Sequence, residues 1–336
     1  MKICSYIHIH SHISEPRLGI LLEDDTLIDP NLCWQLDYQR EGFKNFRERA
    51  SQKIPTSLFK LLNLFDSPID RLREAYGLFL FFQKLGINEL FDGTSISFNL
   101  TYDKSVELKK PIDKVGTYRD FYIHEKHVKK GFEKRKEPIP PAWFEIPAYY
   151  KGSTESFIGP NDEILWPHYT DVLDYELELG CIIGKDGINI REENALDHVF
   201  GYTILNDISA RDIQKKEMSI RLGPAKGKDF CSIIGPVIVT SDEFENKEPN
   251  LLMTAKINDH EWSRGYSGEG HYTWSQMISH ASQEEYLMPG DLLGSGTVGT
   301  GCGLELNKWI QQGDQIELFI EKIGKLENKV GLKRTL

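Results

Sequence analysis

Asp174-Tyr175-Glu176-Leu177-Glu178-Leu179 alternates acidic with aromatic or aliphatic side chains, the period of two that predicts a half-buried strand. That period puts Asp174, Glu176 and Glu178 on one face. Carboxylates lined along one pleat repel one another and are costly to bury unless a cation neutralises them, so the strand is a candidate metal site. A second strand is predicted over Phe200-Gly201-Tyr202-Thr203-Ile204-Leu205-Asn206. A helix is predicted from Asp207 onward, on which Asp207, Arg211 and Gln214 at i, i+4 and i+7 present an acid, a guanidinium and an amide together. Leu222-Gly223-Pro224-Ala225-Lys226-Gly227-Lys228-Asp229-Phe230 then reads as a glycine-punctuated loop that holds Lys228 near the same groups.

Glu176, Glu178 and Asp207 offer only hard oxygen donors. Such a set selects Mg2+, Ca2+ or Mn2+ over zinc, which favours imidazole and thiolate. The same acids would equally serve as partners in structural ion pairs with Arg211 and Lys228. The loop before Lys228 is no phosphate cradle, because its glycine spacing differs and Asp229 stands where a serine or threonine would be needed. Lys228 reads instead as a fixed cation that stabilises negative charge on a substrate oxygen.

Composition narrows the class. A chain of 336 residues with 40% hydrophobic and 27% charged side chains has the make-up of a globular protein with one large or two moderate cores. Its net charge of -11 argues against nucleic acid or an anionic membrane surface as partner, since both require a basic footprint. A small organic substrate fits better. The five cysteines are scattered and include no Cys-x-x-Cys pair, which suits a reducing compartment; the cytoplasm is the expected location. No apolar run approaches the roughly 20 residues that span a bilayer.

Residues 1–110 read as a small N-terminal domain and residues 111–336 as the catalytic one, with Lys109-Lys110-Pro111-Ile112 as the hinge. The first part holds a predicted hairpin around Glu23-Asp24-Asp25 and helical spacing over 58–64 and 69–82. His8, His10 and His12 alternate and would share a strand face able to ligate a transition metal, although a solvated polar face is the commoner fate of such a run. Beyond the hinge, the basic run from Lys129 to Lys136 reads as a solvated mobile segment or a lid. From residue 157 onward short strands and turns dominate, with a helix near 273–282. His127 is the candidate base, and His124 competes with it.

Glu176-x-Glu178, Asn206-Asp207-x-Ser209-Ala210-Arg211-Asp212-x-Gln214 and Gly227-Lys228-x-Phe230, in this order and spacing, resemble the fumarylacetoacetate hydrolase family. The resemblance runs over residues 115–331. It implies an α+β chain: a β-dominated fumarylacetoacetase-type C-terminal domain, a mixed β-roll, with a smaller mixed α/β N-terminal domain, and assembly as a homodimer. It adds Asp120 to a metal set of Asp120, Glu176, Glu178 and Asp207, with Mg2+ first and Ca2+ or Mn2+ as alternatives. It pairs His127, seven residues after Asp120, with Glu305 of Cys302-Gly303-Leu304-Glu305-Leu306 for activation of water. Tyr122, Tyr150 and Thr297 of Gly294-Ser295-Gly296-Thr297-Val298-Gly299 fall at substrate-contacting positions, joined by Arg211 and Gln214.

The implied reaction is hydrolysis of a carbon-carbon bond in a 1,3-diketo acid of the fumarylacetoacetate or acylpyruvate type. Decarboxylation, isomerisation or hydration of a 2-oxo acid would use the same enolate chemistry, and a non-catalytic 2-oxo-acid binding protein is the alternative of another class. Two departures bear on the substrate. Met218 stands where the fumarylacetoacetases carry a tyrosine, and Lys134, Arg135 and Lys136 compete for the place of their arginine after the histidine.

Overall fold

The computed structural model describes residues 1–9 and 15–335. Its spine is a twelve-stranded mixed sheet. From one end it runs through Ser97–Asn99, Thr26–Ile28, Arg17–Leu21 and Lys2–His8, then Ser232–Thr240, Val199–Asp207, Leu177–Ile183, Leu292–Gly294, Tyr118–Phe121 and Tyr149–Gly152, while Val106–Lys109 pairs with Lys2–His8 and Phe157–Ile158 with Ser232–Thr240 beside this path. A five-stranded sheet of His260–Tyr266, Leu252–Ile257, Gln315–Ile320, Gly324–Lys333 and Glu163–Trp166 and a two-stranded ladder complete the β structure. The chain is α+β and sheet-rich, as the resemblance implies.

The central strand Leu177–Ile183 is buried along its whole length rather than on one face. Its odd positions Leu177, Leu179, Cys181 and Ile183 enter one core, while Ile182 enters a second. The half-buried strand expected from 174 to 179 therefore differs in two ways. The strand starts at Leu177, and Leu173–Asp174 forms a separate short ladder with Ser209–Ala210. Covering both faces leaves no water to solvate Glu178, which is fully buried.

The second core joins the two ends of the sheet. Leu36, Leu61, Leu72, Phe79 and Phe82, from the helices Pro30–Arg40, Leu58–Leu64 and Pro68–Lys84, pack with Ile3, Ile20, Phe200, Ile234 and Leu292. The Lys2–His8 strand hydrogen-bonds directly to Ser232–Thr240, pairing Ile3 with Ile238. The boundary read near residue 110 thus lies between strands of one continuous sheet. The predicted hairpin forms, with Ile20 opposite Ile28. The helix Trp274–Ala281 begins at a capping box of Thr273 and Gln276.

Two expectations are corrected. The basic run is not a mobile segment but the second half of a helix, Glu125–Arg135, whose buried side carries His127, Val128 and Gly131. Asp207 does not begin a helix: it ends the Val199–Asp207 strand, and the helix starts at Arg211. His8 bonds to the Ser105 hydroxyl through Nε2 at 2.9 Å, whereas His10 and His12 lie outside the described residues. Among the described residues no helix is long and apolar enough to cross a membrane.

Candidate active site

Adjacent strands of the large sheet bring the acids together. Tyr118–Phe121 lies parallel to Leu292–Gly294, with Asp120 opposite Gly294, and Gly294 in turn faces Gly180 of the next strand. A side chain at Gly294 would occupy the space of Asp120 Oδ1, so the glycine is what lets that carboxylate turn inward. Asp120, Glu176 and Glu178 each place an oxygen within 4.8 Å of the others, all buried. Around them, Glu176 N–H donates to Asn206 Oδ1 at 3.0 Å, and Gly296 N–H and the Thr297 hydroxyl donate to Glu178 at 3.2 Å each.

Cations reach some of these acids and not others. Lys228 Nζ lies 2.5 Å from both Glu176 Oε2 and Asp207 Oδ2. Arg211 donates to Asp174 Oδ2 at 2.8 Å, to Glu176 Oε1 at 2.7 Å and to Gln214 Oε1 at 2.9 Å. Among the described residues no cation pairs with Asp120 or Glu178. Asp120 Oδ1 is buried without any hydrogen-bond partner. Burial, followed by repulsion from Asp207, pushes the Asp120 pKa well above the usual carboxylate range; burial and then Asp120 do the same to Glu178. Glu176 behaves oppositely. Burial opposes its ionisation, yet Lys228, Arg211 and His127 together hold it well below the ordinary value.

A divalent cation fits this donor set. An orphaned buried carboxylate oxygen, two carboxyls that burial drives toward protonation and a ligand set composed of oxygen call for a hard positive charge. The four acids expected to converge divide, however. Three form the triangle, while Asp207 is satisfied by Lys228, by the Tyr150 hydroxyl at 2.6 Å and by the Ser232 hydroxyl at 3.1 Å.

Beside the triangle stands a His–carboxylate pair. His127 Nδ1 lies 2.7 Å from Glu305 Oε1, and Thr300 N–H donates to Glu305 Oε2 at 2.9 Å. A carboxylate can only accept, so the ring proton sits on Nδ1 and Nε2 carries the lone pair. The Tyr122 ring meets the imidazole edge-to-face at 5.4 Å. The helix Gly303–Leu306 that carries Glu305 is itself anchored, because Gly303 and Leu304 N–H groups donate to Asp174 at 2.7 and 2.9 Å. His124 is buried and held neutral, its pKa lowered to about 3 by burial and then by His127 and Lys126.

The expected site residues thus gather at one place, with altered duties for some. Arg211 binds Asp174, Glu176 and the Gln214 amide, and Thr297 supports Glu178. Asp174, expected on the acidic face, instead anchors Arg211 and the helix of Glu305, while no local pattern marks Ser232 as a partner of Asp207. Arg135 stands out among the three competing cations, since its guanidinium and the Tyr122 hydroxyl border the same space beside Gly131.

A sheet-built α+β fold with metal-binding-capable acids beside a His–Glu pair defines a class of enzyme folds that handle small acids. Residues 116–331 match the Fumarylacetoacetate (FAA) hydrolase C-terminal family, and this chain belongs to that family. Oxaloacetate tautomerase YisK of Bacillus subtilis is 37% identical over 190 residues, 56% of this chain and 62% of that protein. The match therefore spans less than two thirds of that relative's length. A fumarylacetoacetate hydrolase from Exiguobacterium antarcticum shares the fold at a TM-score of 0.70 and 24% identity, covering 99% of this chain and 100% of its own. A fumarylpyruvate hydrolase from Pseudomonas aeruginosa, solved with Mn2+ and pyruvate, superposes at a TM-score of 0.55 with 23% identity, over 68% of this chain and 92% of that one.

Proposed function

We propose that this chain is a divalent-metal-dependent enzyme that hydrolyses a carbon-carbon bond in a 1,3-diketo acid of the acylpyruvate or fumarylacetoacetate type. The observation that carries the reading is the 2.7 Å His127–Glu305 contact next to the oxygen triangle. Asp120, Glu176 and Glu178 would hold Mg2+, or Ca2+ or Mn2+, with Asp207 in support through Lys228. Such an ion polarises carbonyl oxygens and lowers the energy of an enolate.

His127 Nε2 takes a proton from water while Glu305 holds Nδ1–H and stabilises the imidazolium. The water oxygen bonds to the acyl carbonyl carbon. As the carbon-carbon bond breaks, its electron pair passes into the enolate, which His127 then protonates at carbon to leave two carboxylic products. Lys228 supplies fixed positive charge in the wall: burial opposes its charged form, but Asp207 and Glu176 raise its pKa. Arg211 and Gln214 keep Glu176 in place, and Tyr122, Tyr150 and Thr297 line the substrate side, with Arg135 as the cation for a substrate carboxylate.

His127→Ala tests this directly. Turnover of acylpyruvates falls by about 10^2- to 10^4-fold, the usual worth of a general base, while stabilisation by the divalent ion persists. Turnover near the wild-type rate would eliminate the mechanism. A second reading is favoured by the name of the Bacillus subtilis relative. Keto-enol tautomerisation of a 2-oxo acid needs the same ion and the same base but no bond to water. Product analysis separates them, since hydrolysis yields two fragments, tautomerisation leaves the mass unchanged and decarboxylation releases CO2. We further propose a cytoplasmic homodimer, to be checked by light scattering of the full chain.

A further inference from the structure

A second group of ligand atoms adjoins the oxygen triangle, and its chemistry differs. Cys302 Sγ lies 3.8 Å from His127 Nδ1 and 3.7 Å from Glu305 Oε1. Ligand atoms of His127, Glu176 and Cys302 all fall within 4.8 Å of one another, and all three residues are buried. The thiol's setting is unlike that of the other cysteines. Cys4, Cys33, Cys181 and Cys231 belong to the hydrophobic cores, whereas Cys302, equally buried, belongs to neither and sits among an imidazole and carboxylates.

A tetrahedral ion with sulfur at about 2.3 Å and nitrogen at about 2.0–2.1 Å separates those two ligands by about 3.6 Å. The observed 3.8 Å requires only a few tenths of an ångström of adjustment. Imidazole, thiolate and carboxylate together favour Zn2+, while the neighbouring triangle offers oxygen alone.

We propose that Cys302, His127 and Glu176, with Glu305 as the fourth ligand, form an inhibitory zinc site that shares Glu176 with the site of the hard ion and differs from it in donor type. Zinc bonds to Sγ and to Nδ1. The thiol proton leaves to solvent, and the ring proton moves from Nδ1 to Nε2, so the imidazole stays neutral. Nε2 then has no lone pair for water, and the contact between Nδ1 and Glu305 is broken. Binding goes beyond the proposed reaction, because it depends on the side chains and not on which 2-oxo acid is turned over.

The test uses the full chain with Mg2+ present. Zn2+ is titrated into wild type and Cys302→Ser, each compared with its own zinc-free rate. Serine is a favoured residue at this helix N-cap. Wild type is inhibited at Zn2+ concentrations at least on the order of 10- to 100-fold lower than the variant, the loss that removing even an outer partner of a metal ligand causes. Co2+ supplies a readout independent of turnover: a thiolate-to-cobalt charge-transfer band in wild type, retained in Asp120→Asn and absent from Cys302→Ser. Equal zinc sensitivity of the two proteins, inhibition relieved alike in both by excess Mg2+, or no thiolate band would each overturn the site. If no 2-oxo acid is turned over, the functional reading fails while the cobalt band still decides this one.

Discussion

Asp120 and Glu178 are the residues whose environment says most. Both are buried with raised pKa values and without a cationic partner among the described residues, so in the ion-free fold they bind protons more tightly than in the unfolded chain. A raised carboxyl pKa contributes stability that is fully present below the unfolded value and is lost as pH rises through the folded value. Glu176 does not oppose this above the carboxylate range, because its depressed pKa leaves it ionised in both states there. In EDTA the melting temperature therefore falls as pH rises above the ordinary carboxylate range, and Mg2+ removes most of that slope. Asp120→Asn flattens the slope, stabilises the ion-free protein at neutral pH by on the order of 1–3 kcal/mol and abolishes stabilisation by Mg2+. Thermal melts across pH, with and without the ion, check all three. The residue types were legible in the sequence, since alternation marked Glu176 and Glu178 as acids needing a cation. Which acids lack one was not, because Lys228 reaches Glu176 across 52 positions of chain and Arg211 reaches it across 35.

At the level of elements, two helices set the His127–Glu305 pair. The helix Glu125–Arg135 carries His127 and the helix Gly303–Leu306 carries Glu305, joined across 178 positions of sequence. A Cβ at Gly303 would collide with the Lys308 carbonyl oxygen and crowd Asp174 Oδ1. Gly303→Ala is expected to cost about 1–3 kcal/mol of stability through overpacking and to lower kcat with little change in KM, as Glu305 is moved away from the imidazole. Unchanged kcat would show that the anchoring by Asp174 does not position the pair. The sequence concealed the first helix for a physical reason. Only His127, Val128 and Gly131 of its residues are buried, too few apolar positions to produce a 3.6-residue period through five lysines and arginines. The same limit explains Asp207, Arg211 and Gln214: their spacing suits one helical face, but pairing of Leu205, Asn206 and Asp207 with Ile234, Ile233 and Ser232 extends the strand through the acid.

For the whole molecule, the decisive fact is the sheet that crosses residue 110. Residues 1–110 contribute strands to one end of it and helices that cover the second core, which also contains Ile182, Phe200, Leu205, Ile234, Ile238 and Leu292. Removing them would expose those side chains and the edge of Ser232–Thr240. A chain of residues 111–336 alone is expected to aggregate or to bind a hydrophobic dye strongly, and a monodisperse, stable and active fragment would show that the division is thermodynamically real. The sequence by itself determined the ligand chemistry, the strand and helix types whose signals are local, namely alternation, helical spacing and turn residues, and, through the resemblance, the family. Tertiary structure alone decided that three acids form the triangle while Asp207 serves Lys228, that Arg211 faces Glu176, and that Cys302 joins the His–Glu pair. Burial and charge pairing depend on residues brought from distant parts of the chain, and no local pattern encodes them.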